Sequence, residues 1–479
     1  MNSQKKNRFK TALTVTAAGA LLATSVVAAQ PAKPAEAASS KTKNVILFVG
    51  DGMGTAARNA IRLATVGEKG KLAMDDMPYA GLVHTSSTVP VTDSAASATA
   101  YASGVKTYNG AIGMDANKKS VKTIAEYAKA MDDMPYAGLV HTSSTVPVTD
   151  SAASATAYAS GVKTYNGAIG MDANKKSVKT IAEYAKAAGK STGVVTTSQI
   201  TDATGAAFGA HVEDRSKQSD IALQLLTKSK VDVLLGGGED FWYPAGEAGK
   251  FPDAPAEDPS EKSKGTQGNL VTKAKQLGYS YVSTKDGLKQ AKGGKLLGLF
   301  ANEEMFQQNE EGKGDIYNPV VSLPEMTKKA IDTLSTNQKG FFLMVEEEGT
   351  DEFAHKNNAK MTIKSGQALD ASVQVAKDFA KKNPDTLVLV LADHETGGLS
   401  IEPVDAEDET GDGISKEDGP FAIANSKESF VVDWTTSGHT AVDIPVTAMG
   451  KNAQLFTGVF ENTAVFDKLM QAYGFNAKK

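Results

Sequence analysis

Residues 387–398 read LVLVLADHETGG, an apolar run that ends in three ionisable residues and a pair of glycines. Five apolar residues in succession predict a strand that is buried on both faces, as in a parallel sheet. Ligands of open parallel sheets bind at the carboxyl ends of the strands. Asp393 and His394 are therefore candidate ligands of one cation, which would supply the counter-charge that a buried carboxylate requires. Taken alone, the pair could equally form a hydrogen-bonded turn.

Two more apolar runs end in the same way. Asp51 follows the first of them in VGDGMG, and the acidic segment EEEGTDEFAH at 346–355 follows the second. Asp351 and His355 are four residues apart, so one helical turn places both on the same face, where they can chelate one ion. In isolation, an Asp-Gly pair is a common turn, and an acidic run is usually a solvated surface.

A fourth apolar run precedes the segment TDATG, which contains Asp202 and Thr204. Their oxygens suit a hard ion such as Mg²⁺. Arg215 follows, and a guanidinium can hold two oxygens of one phosphate. His439 lies in the turn SGHT before a further apolar run. Each feature alone could be a capped turn or a surface residue. As a set, the mixed nitrogen and oxygen ligands favour Zn²⁺, and the oxygen-only ligands favour Mg²⁺.

Between the apolar runs the hydrophobic periodicity is helical. This alternation predicts an α/β fold with parallel strands and crossover helices. The predicted strands are 45–49, 194–197, 231–235, 296–300, 341–345, 387–391 and 444–448. The predicted helices include 221–228, 324–334, 365–381 and 462–473.

One segment of the chain occurs twice. Residues 74–130 recur without a substitution at 131–187. Repeat proteins normally contain at least three divergent copies, so two identical copies indicate a recent tandem duplication or an error in the sequence. The segment contains TDSAAS, whose serine precedes an Ala-rich run that is typical of a helix start. Backbone N–H groups there favour negative charge near the hydroxyl, although an ordinary helix cap is the common alternative.

Together these segments resemble the alkaline phosphatase family, over nearly the whole chain from Asn44 to about Phe475. The resemblance is carried by VGDGMG, VTDSAASATAYASGVKTYNGAIG, ITDATGAAFGAHVEDR, the acidic segment after FFLMV, and LADHETGG. It implies a three-layer αβα sandwich around a large, mostly parallel sheet. The catalytic domain would span residues 39–479 and contain the duplicated segment 74–187.

The resemblance also implies the ligands and the activity. It assigns one zinc to Asp351, His355 and His439, a second zinc to Asp51, Asp393 and His394, and a magnesium to Asp51, Asp202, Thr204 and Glu346. Arg215 would bind the phosphate, and the serine of DSAAS would carry it as a phosphoserine. The substrates would be small phosphate monoesters, and a homodimer is compatible with the resemblance.

The acidic segment departs from the family pattern at three positions. Many members have Gly and Ser after the magnesium-ligand Glu, where this chain has Glu347 and Glu348. Many bacterial relatives have Trp after the zinc Asp, where this chain has Glu352. The spacing of five residues to Asp351 favours Glu346 as the magnesium ligand, but a neighbouring glutamate could replace it.

The duplication leaves two candidate nucleophiles, Ser94 and Ser151. One copy must leave the fold as an excursion, and the closure entropy is the same for either copy. An excursion that leaves near 67–76 selects Ser151, and one that leaves near 114–119 selects Ser94. Ser151 is favoured, because its helix then continues directly to Asp202 as one right-handed crossover unit.

Residues 1–38 predict a secretory signal peptide, with a basic start, an apolar stretch and small residues at the cleavage patterns. The predicted product is secreted or held in the cell envelope, with no membrane span after cleavage; an uncleaved anchor is the alternative. The net charge is −5, and no basic block is present, which argues against nucleic-acid binding. Other readings are a phosphodiesterase or sulfatase of the same superfamily, or an inactive phosphate- or metal-binding exported protein. The absence of cysteine and the presence of DSAAS argue against the sulfatase.

Overall fold

A computed structural model describes residues 41–84, 110–112, 151–254, 261–307, 316–404, 418–440 and 442–475. The predicted signal peptide and Ser94 lie outside these residues. The chain from Ser40 onward forms one compact unit, and every element below belongs to it. In the described residues, no helix is both long and apolar enough to cross a membrane.

The strands alternate with helices along the chain, as the sequence predicts. The strands are β1 Asn44–Gly50, β2 Tyr79–His84, β3 Gly110–Ile112, β4 Lys163–Tyr165, β5 Ser191–Gln199, β6 Val233–Gly237, β7 Ser280–Val282, β8 Leu296–Leu299, β9 Phe341–Glu347, β10 Thr386–Leu391, β11 Glu395–Thr396, β12 Ser400–Pro403, β13 Asp418–Ala422, β14 Ser429–Asp433, β15 His439–Thr440, β16 Ile444–Gly450 and β17 Gly458–Glu461. All seven strands predicted from the apolar runs are confirmed, with boundaries that differ by a few residues.

Ten of these strands form the central sheet, in the order β17-β2-β16-β10-β1-β9-β5-β6-β8-β7. Only β16 runs against the others, because it pairs antiparallel with both β10 and β2. The sheet is therefore large and mostly parallel. Every residue of β1, β9 and β10, at its centre, is buried. Continuous apolar runs produce such strands because both of their faces are covered.

The helices cover the sheet in two groups. The helices are α1 Thr55–Val66, α2 Ser151–Ser160, α3 Ile181–Ala187, α4 Ala203–Ala206, α5 Gln218–Thr227, α6 Leu270–Gln276, α7 Lys285–Gln290, α8 Leu323–Leu334, α9 Gly349–His355, α10 Ala359–Lys382 and α11 Ala464–Tyr473. Helices α1, α8 and α10 pack together in one group, and α2, α3 and α11 pack together in the other. The predicted αβα sandwich is confirmed.

The duplicated segment contributes to the fold from both of its copies. Strand β2 comes from the first copy and lies between β17 and β16 in the central sheet. Helix α2, which begins at Ser151, comes from the second copy. The expected departure of the chain near 67–76 is therefore wrong, since the first copy stays in the sheet through His84. The two YAGLVH segments are identical, so either can fill this sheet position equally well.

Candidate metal centre and nucleophile

The candidate ligands leave the same edge of the sheet because their strands are neighbours. Strand β1 pairs in parallel with β9 on one side and with β10 on the other. Val49 lies opposite Glu346 on β9 and opposite Leu391 on β10. Asp51 and Asp393, two residues beyond these positions, therefore emerge beside each other.

The first group of ligand atoms comes from Asp51, Asp393 and His394. One atom from each lies within 4.8 Å of the other two. Nε2 of His394 is 3.4 Å from Oδ1 of Asp51 and 3.3 Å from Oδ2 of Asp393. All three residues are buried. Oδ1 of Asp51 accepts no hydrogen bond from the described residues. A buried carboxylate oxygen in that state is suited to a metal ion.

The second group comes from Asp351, His355 and His439. Nε2 of His355 is 3.2 Å from Oδ2 of Asp351 and 3.0 Å from Nε2 of His439. Nε2 of His439 is 3.8 Å from Oδ1 of Asp351. Asp351 and His355 share one face of helix α9, as their spacing predicts.

The two groups are adjacent, and His394 belongs to the boundary between them. Its ring stacks on that of His439, with centroids 3.7 Å apart. His394 and His439 also form a possible ligand set with Asp351. The six side chains therefore make one continuous group with two candidate cation positions.

The electrostatics of Asp51 and His394 favour a bound cation. Burial raises the pKa of Asp51 well above its usual value, and the neighbouring Asp393 and Asp351 raise it further. Burial also lowers the pKa of His394 well below its usual value, and His439 adds to this. An uncharged imidazole and crowded carboxylates are the states that bind divalent ions.

The predicted magnesium ligands surround the other side of Asp51. The Thr204 hydroxyl donates to Oδ2 of Asp51 at 3.1 Å. Burial raises the pKa of Glu346 to about 8, Thr196 and Thr204 hydrogen bonds oppose this, and the charge of Asp202 adds to it. Thr204 thus interacts with both Asp51 and Glu346, and the charge of Asp202 acts on Glu346. All four side chains offer oxygen atoms as ligands.

The glutamates after Glu346 have other surroundings. Glu347 accepts hydrogen bonds from the hydroxyls of Tyr317 at 2.5 Å and Thr197 at 2.9 Å. It also accepts one from the Gly349 amide at 3.1 Å. Successive strand residues point to opposite faces, so Glu346 and Glu347 cannot both reach Asp51. This geometry favours Glu346 over Glu347 as a ligand.

The predicted phosphate ligand, Arg215, lies next to the magnesium ligands. Its Nη2 donates to both carboxylate oxygens of Asp202, at 2.9 and 3.0 Å. About a third of its side chain is exposed. Asp202 thereby fixes the orientation of a partly exposed guanidinium next to the magnesium ligands.

Ser151 is the first residue of helix α2 and is 7% exposed. The helix packs against α4, which carries Thr204. On the same helix, the Tyr158 hydroxyl donates to the carbonyl of Ala392 at 2.7 Å, directly before Asp393. The helix that begins at Ser151 is therefore attached, through Tyr158, to the strand end that carries Asp393.

Two threonines that the sequence reasoning did not select support the ligands. The Thr396 hydroxyl donates to Oδ1 of Asp351 and lies 3.1 Å from Nδ1 of His394. The Thr350 hydroxyl donates to the Asp51 carbonyl at 2.6 Å. Thr396 lies within LADHETGG, so its closeness to Asp393 and His394 in sequence was the available signal. No such signal was available for Thr350, because its partner Asp51 is almost 300 residues away in the chain.

The sequence model of the alkaline phosphatase family matches residues 42–144 and 128–413. The two matches overlap inside the duplicated segment. Alkaline phosphatase 4 of Bacillus subtilis is 36% identical, over 66% of this chain and 74% of its own length. The alkaline phosphatase of Escherichia coli is 34% identical, over 68% of this chain and 74% of its own length.

Solved structures of alkaline phosphatases are also similar to this chain. The alkaline phosphatase of the Antarctic bacterium TAB5 is similar with a TM-score of 0.63 and 27% identity, over 91% of this chain and 100% of that one. A histidine-to-aspartate variant of it, with Mg bound in its M3 site, has a TM-score of 0.61 and 26% identity, over 91% of this chain and 99% of that one.

Proposed function

This chain belongs to the alkaline phosphatase family, and on that premise we propose that it hydrolyses phosphate monoesters through a phosphoserine on Ser151, with two Zn²⁺ and one Mg²⁺. The convergence of two ligand groups at the ends of β1, β9 and β10 carries the proposal. Family membership also favours an enzyme over an inactive phosphate- or metal-binding protein.

The residues present fit these ions. Both histidine-containing groups combine carboxylate oxygens with imidazole nitrogens, which suits Zn²⁺. Asp51, Asp202, Thr204 and Glu346 offer only oxygens, which suits Mg²⁺. When bound, the ions would supply the positive charge that lowers the pKa of the serine hydroxyl and offsets charge on the attacking and leaving oxygens.

The chain's own groups would carry the reaction in two displacements. Oγ of Ser151 attacks phosphorus, the new O–P bond forms, and the bond to the ester oxygen breaks. Water then attacks the phosphoserine and releases phosphate. Arg215, oriented by Asp202, would hold two equatorial oxygens of the phosphoryl group through both steps.

The decisive experiment compares two serine variants. Ser151→Ala should lower kcat for an aryl phosphate by on the order of 10³-fold or more, because a nucleophile is lost. Ser94→Ala is the matched control, since it makes the same change in an identical local sequence and should leave kcat unchanged. Labelling with ³²P at low pH should detect phosphoserine in Ser94→Ala and not in Ser151→Ala. The reverse result would assign the nucleophile to the first copy.

Two further measurements test the reaction class. Removal of metals with a chelator should abolish turnover, and Zn²⁺ plus Mg²⁺ should restore it. A monoester should be hydrolysed far faster than the matching diester, because the second ester group of a diester replaces one of the free phosphoryl oxygens that Arg215 and the cations would bind. Faster turnover of the diester would favour the phosphodiesterase reading.

The proposal includes export. Residues 1–38 would be removed as a signal peptide, and the product would be secreted or held in the cell envelope. N-terminal sequencing of protein recovered from the culture medium or the envelope tests this. Sedimentation of the same sample tests the homodimer.

A further inference from the structure

A second group of acidic side chains lies beside the centre and has no part in the proposed reaction. It consists of Glu304, Glu348 and Glu352, with Asp202 at its border. Burial raises the pKa of Glu348 well above its usual value, and four neighbouring carboxylates raise it further: Asp202, Glu352, Glu304 and Glu346. The charge of Glu352 also raises the pKa of Glu304. Two of the three, Glu348 and Glu352, are positions where the sequence departs from the family pattern.

Backbone contacts bring these glutamates together. Thr197, near the end of β5, accepts the Met305 amide on its carbonyl at 2.8 Å. Its hydroxyl accepts the Glu348 amide at 3.1 Å. Thr197 therefore contacts both Glu348 and Met305, the residue next to Glu304. Glu352 is one turn after Glu348 on α9, and its amide donates to the Glu348 carbonyl at 3.2 Å.

Glu348 supplies the observation that points to a ligand. Its residue is only 6% exposed, and its Oε2 has no hydrogen-bond partner among the described residues. Glu304, by contrast, accepts a hydrogen bond from Nε2 of Gln199 at 2.7 Å. Oε1 of that same Gln199 amide is also buried, and no described residue forms a hydrogen bond with it. A buried anionic oxygen among other carboxylates is costly unless a positive charge is nearby.

We propose that Glu304, Glu348 and Glu352 bind a fourth ion, a hard divalent cation such as Ca²⁺ or Mg²⁺, next to the Asp202 side of the centre. Carboxylates with a neutral amide oxygen, and no imidazole, are the ligands of such ions and not of Zn²⁺. Burial raises the pKa of Glu304 to about 7, opposed by its Gln199 hydrogen bond and assisted by Glu352. The cation would compete with that proton.

The test is a metal count on the intact protein, so it does not depend on turnover or on which serine reacts. Protein saturated with Zn²⁺ and Mg²⁺ is equilibrated with Ca²⁺ and analysed by mass spectrometry of its elements. We expect one equivalent of Ca²⁺ in addition to unchanged Zn²⁺ and Mg²⁺. In a parallel arm with Mg²⁺ alone, a second equivalent of Mg²⁺ would assign the site to that ion.

Variants decide whether the additional ion is at this site. Glu304→Gln/Glu348→Gln should lose the extra equivalent and the rise in Tm that Ca²⁺ causes in the unmodified protein. Glu352→Gln, which replaces a half-buried member, should weaken Ca²⁺ binding at least tenfold and serves if the double variant does not fold. Glu428→Gln, a charge-matched change at an exposed position, should bind the fourth ion normally.

The proposal is overturned if the unmodified protein takes up no ion beyond two Zn²⁺ and one Mg²⁺ at millimolar Ca²⁺ or Mg²⁺. It is overturned equally if the glutamine variants retain the extra equivalent. Either outcome leaves the proposed hydrolysis untouched, because that reaction is tested by the serine variants.

Discussion

Thr396 connects the two proposed zinc positions through a single hydroxyl. Its oxygen contacts both Asp351 and His394, one from each group of ligands. Groups that hydrogen-bond to metal ligands fix the orientation of those ligands before the metal arrives. The affinity for zinc should therefore depend on a residue that is not itself a ligand.

Thr396→Val keeps the shape of the side chain and removes the hydroxyl. We expect about a tenfold to hundredfold loss of zinc affinity, the range found for comparable contacts, measured by competition with a chromophoric chelator. Thr435→Val is the control, because that hydroxyl donates to the Gly398 carbonyl on an exposed turn. Equal affinities in the two variants would show that Thr396 does not orient the ligands.

Asp467 on helix α11 couples stability to pH away from the metal centre. Burial raises its pKa to about 7, against the opposing effect of Lys468. In the part of the chain that the structure describes, its Oδ1 has no hydrogen-bond partner. An unfolded chain releases this proton near pH 4. Between pH 4 and 7 the folded state therefore holds the extra proton, and stability falls as the pH rises.

Asp467→Asn should remove this penalty. The variant should match the unmodified protein near pH 4 and gain on it up to about pH 7, by about 1–2 kcal/mol after allowance for partial solvent screening. Urea unfolding at several pH values measures the difference. Asp378→Asn, an exposed change on α10, should show no such trend. A constant difference for Asp467→Asn across this range would contradict the shifted pKa.

At the scale of elements, helix α2 is positioned by a contact near its C-terminal end as well as by its packing. The Tyr158 hydroxyl reaches the Ala392 carbonyl, so the helix that begins at Ser151 is joined to the strand end before Asp393. The parallel register of β1, β9 and β10 sets the spacing of the ligands in the same way. Element positions thus set the distance between nucleophile and cations.

Tyr158→Phe tests this connection. Loss of one buried hydrogen bond should cost about 1 kcal/mol of stability, seen by urea unfolding. Because α2 is then less firmly held against the metal centre, kcat should fall more than Km rises. Tyr79→Phe on β2 is the control, since no hydrogen bond from its hydroxyl occurs among the described residues. Unchanged kcat in Tyr158→Phe would show that packing alone positions the helix.

At the scale of the whole molecule, the duplication lengthens one connection. The chain leaves β2 after His84 and enters α2 at Ser151. Deleting 74–130 gives the same sequence as deleting 85–141, because the copies are identical. The shortened chain keeps β2, α2, β4 and α3 of the duplicated segment and joins β2 directly to α2 through TSSTVPVTD.

The deletion should therefore stabilise the protein. Shortening the connection from 66 residues to nine reduces the closure entropy by about 2 kcal/mol. We expect a Tm higher by a few degrees, less aggregation on heating and an unchanged kcat per active site. Melting curves of both proteins, each in its metal-loaded form, provide the measurement. Coincident melts would mean that contacts of the removed residues, such as the pairing of β3 with β4, offset the closure cost of the longer connection.

Much of the fold and of the site followed from local sequence. Runs such as LVLVL could bury themselves only in the middle of a covered sheet, and the acids and histidines after them had to emerge at its edge. Asp51, Asp393 and His394 were predictable as candidate ligands at that edge for this reason, whereas their assignment to one ion came from the resemblance to the family. Asp351 and His355 were predictable as a pair from their helical spacing. Glu346 was favoured over Glu347 by spacing alone, and strand alternation explains why.

Other features depended on tertiary structure. Local sequence cannot choose between two identical copies, since both have the same propensities; only packing brings β2 from one and α2 from the other into the fold. The contacts of Thr350 with Asp51 and of Glu348 with Thr197 join residues far apart in the chain. Such contacts arise from sheet order and register, which no short segment encodes, because they are set by how all the strands bury their faces together.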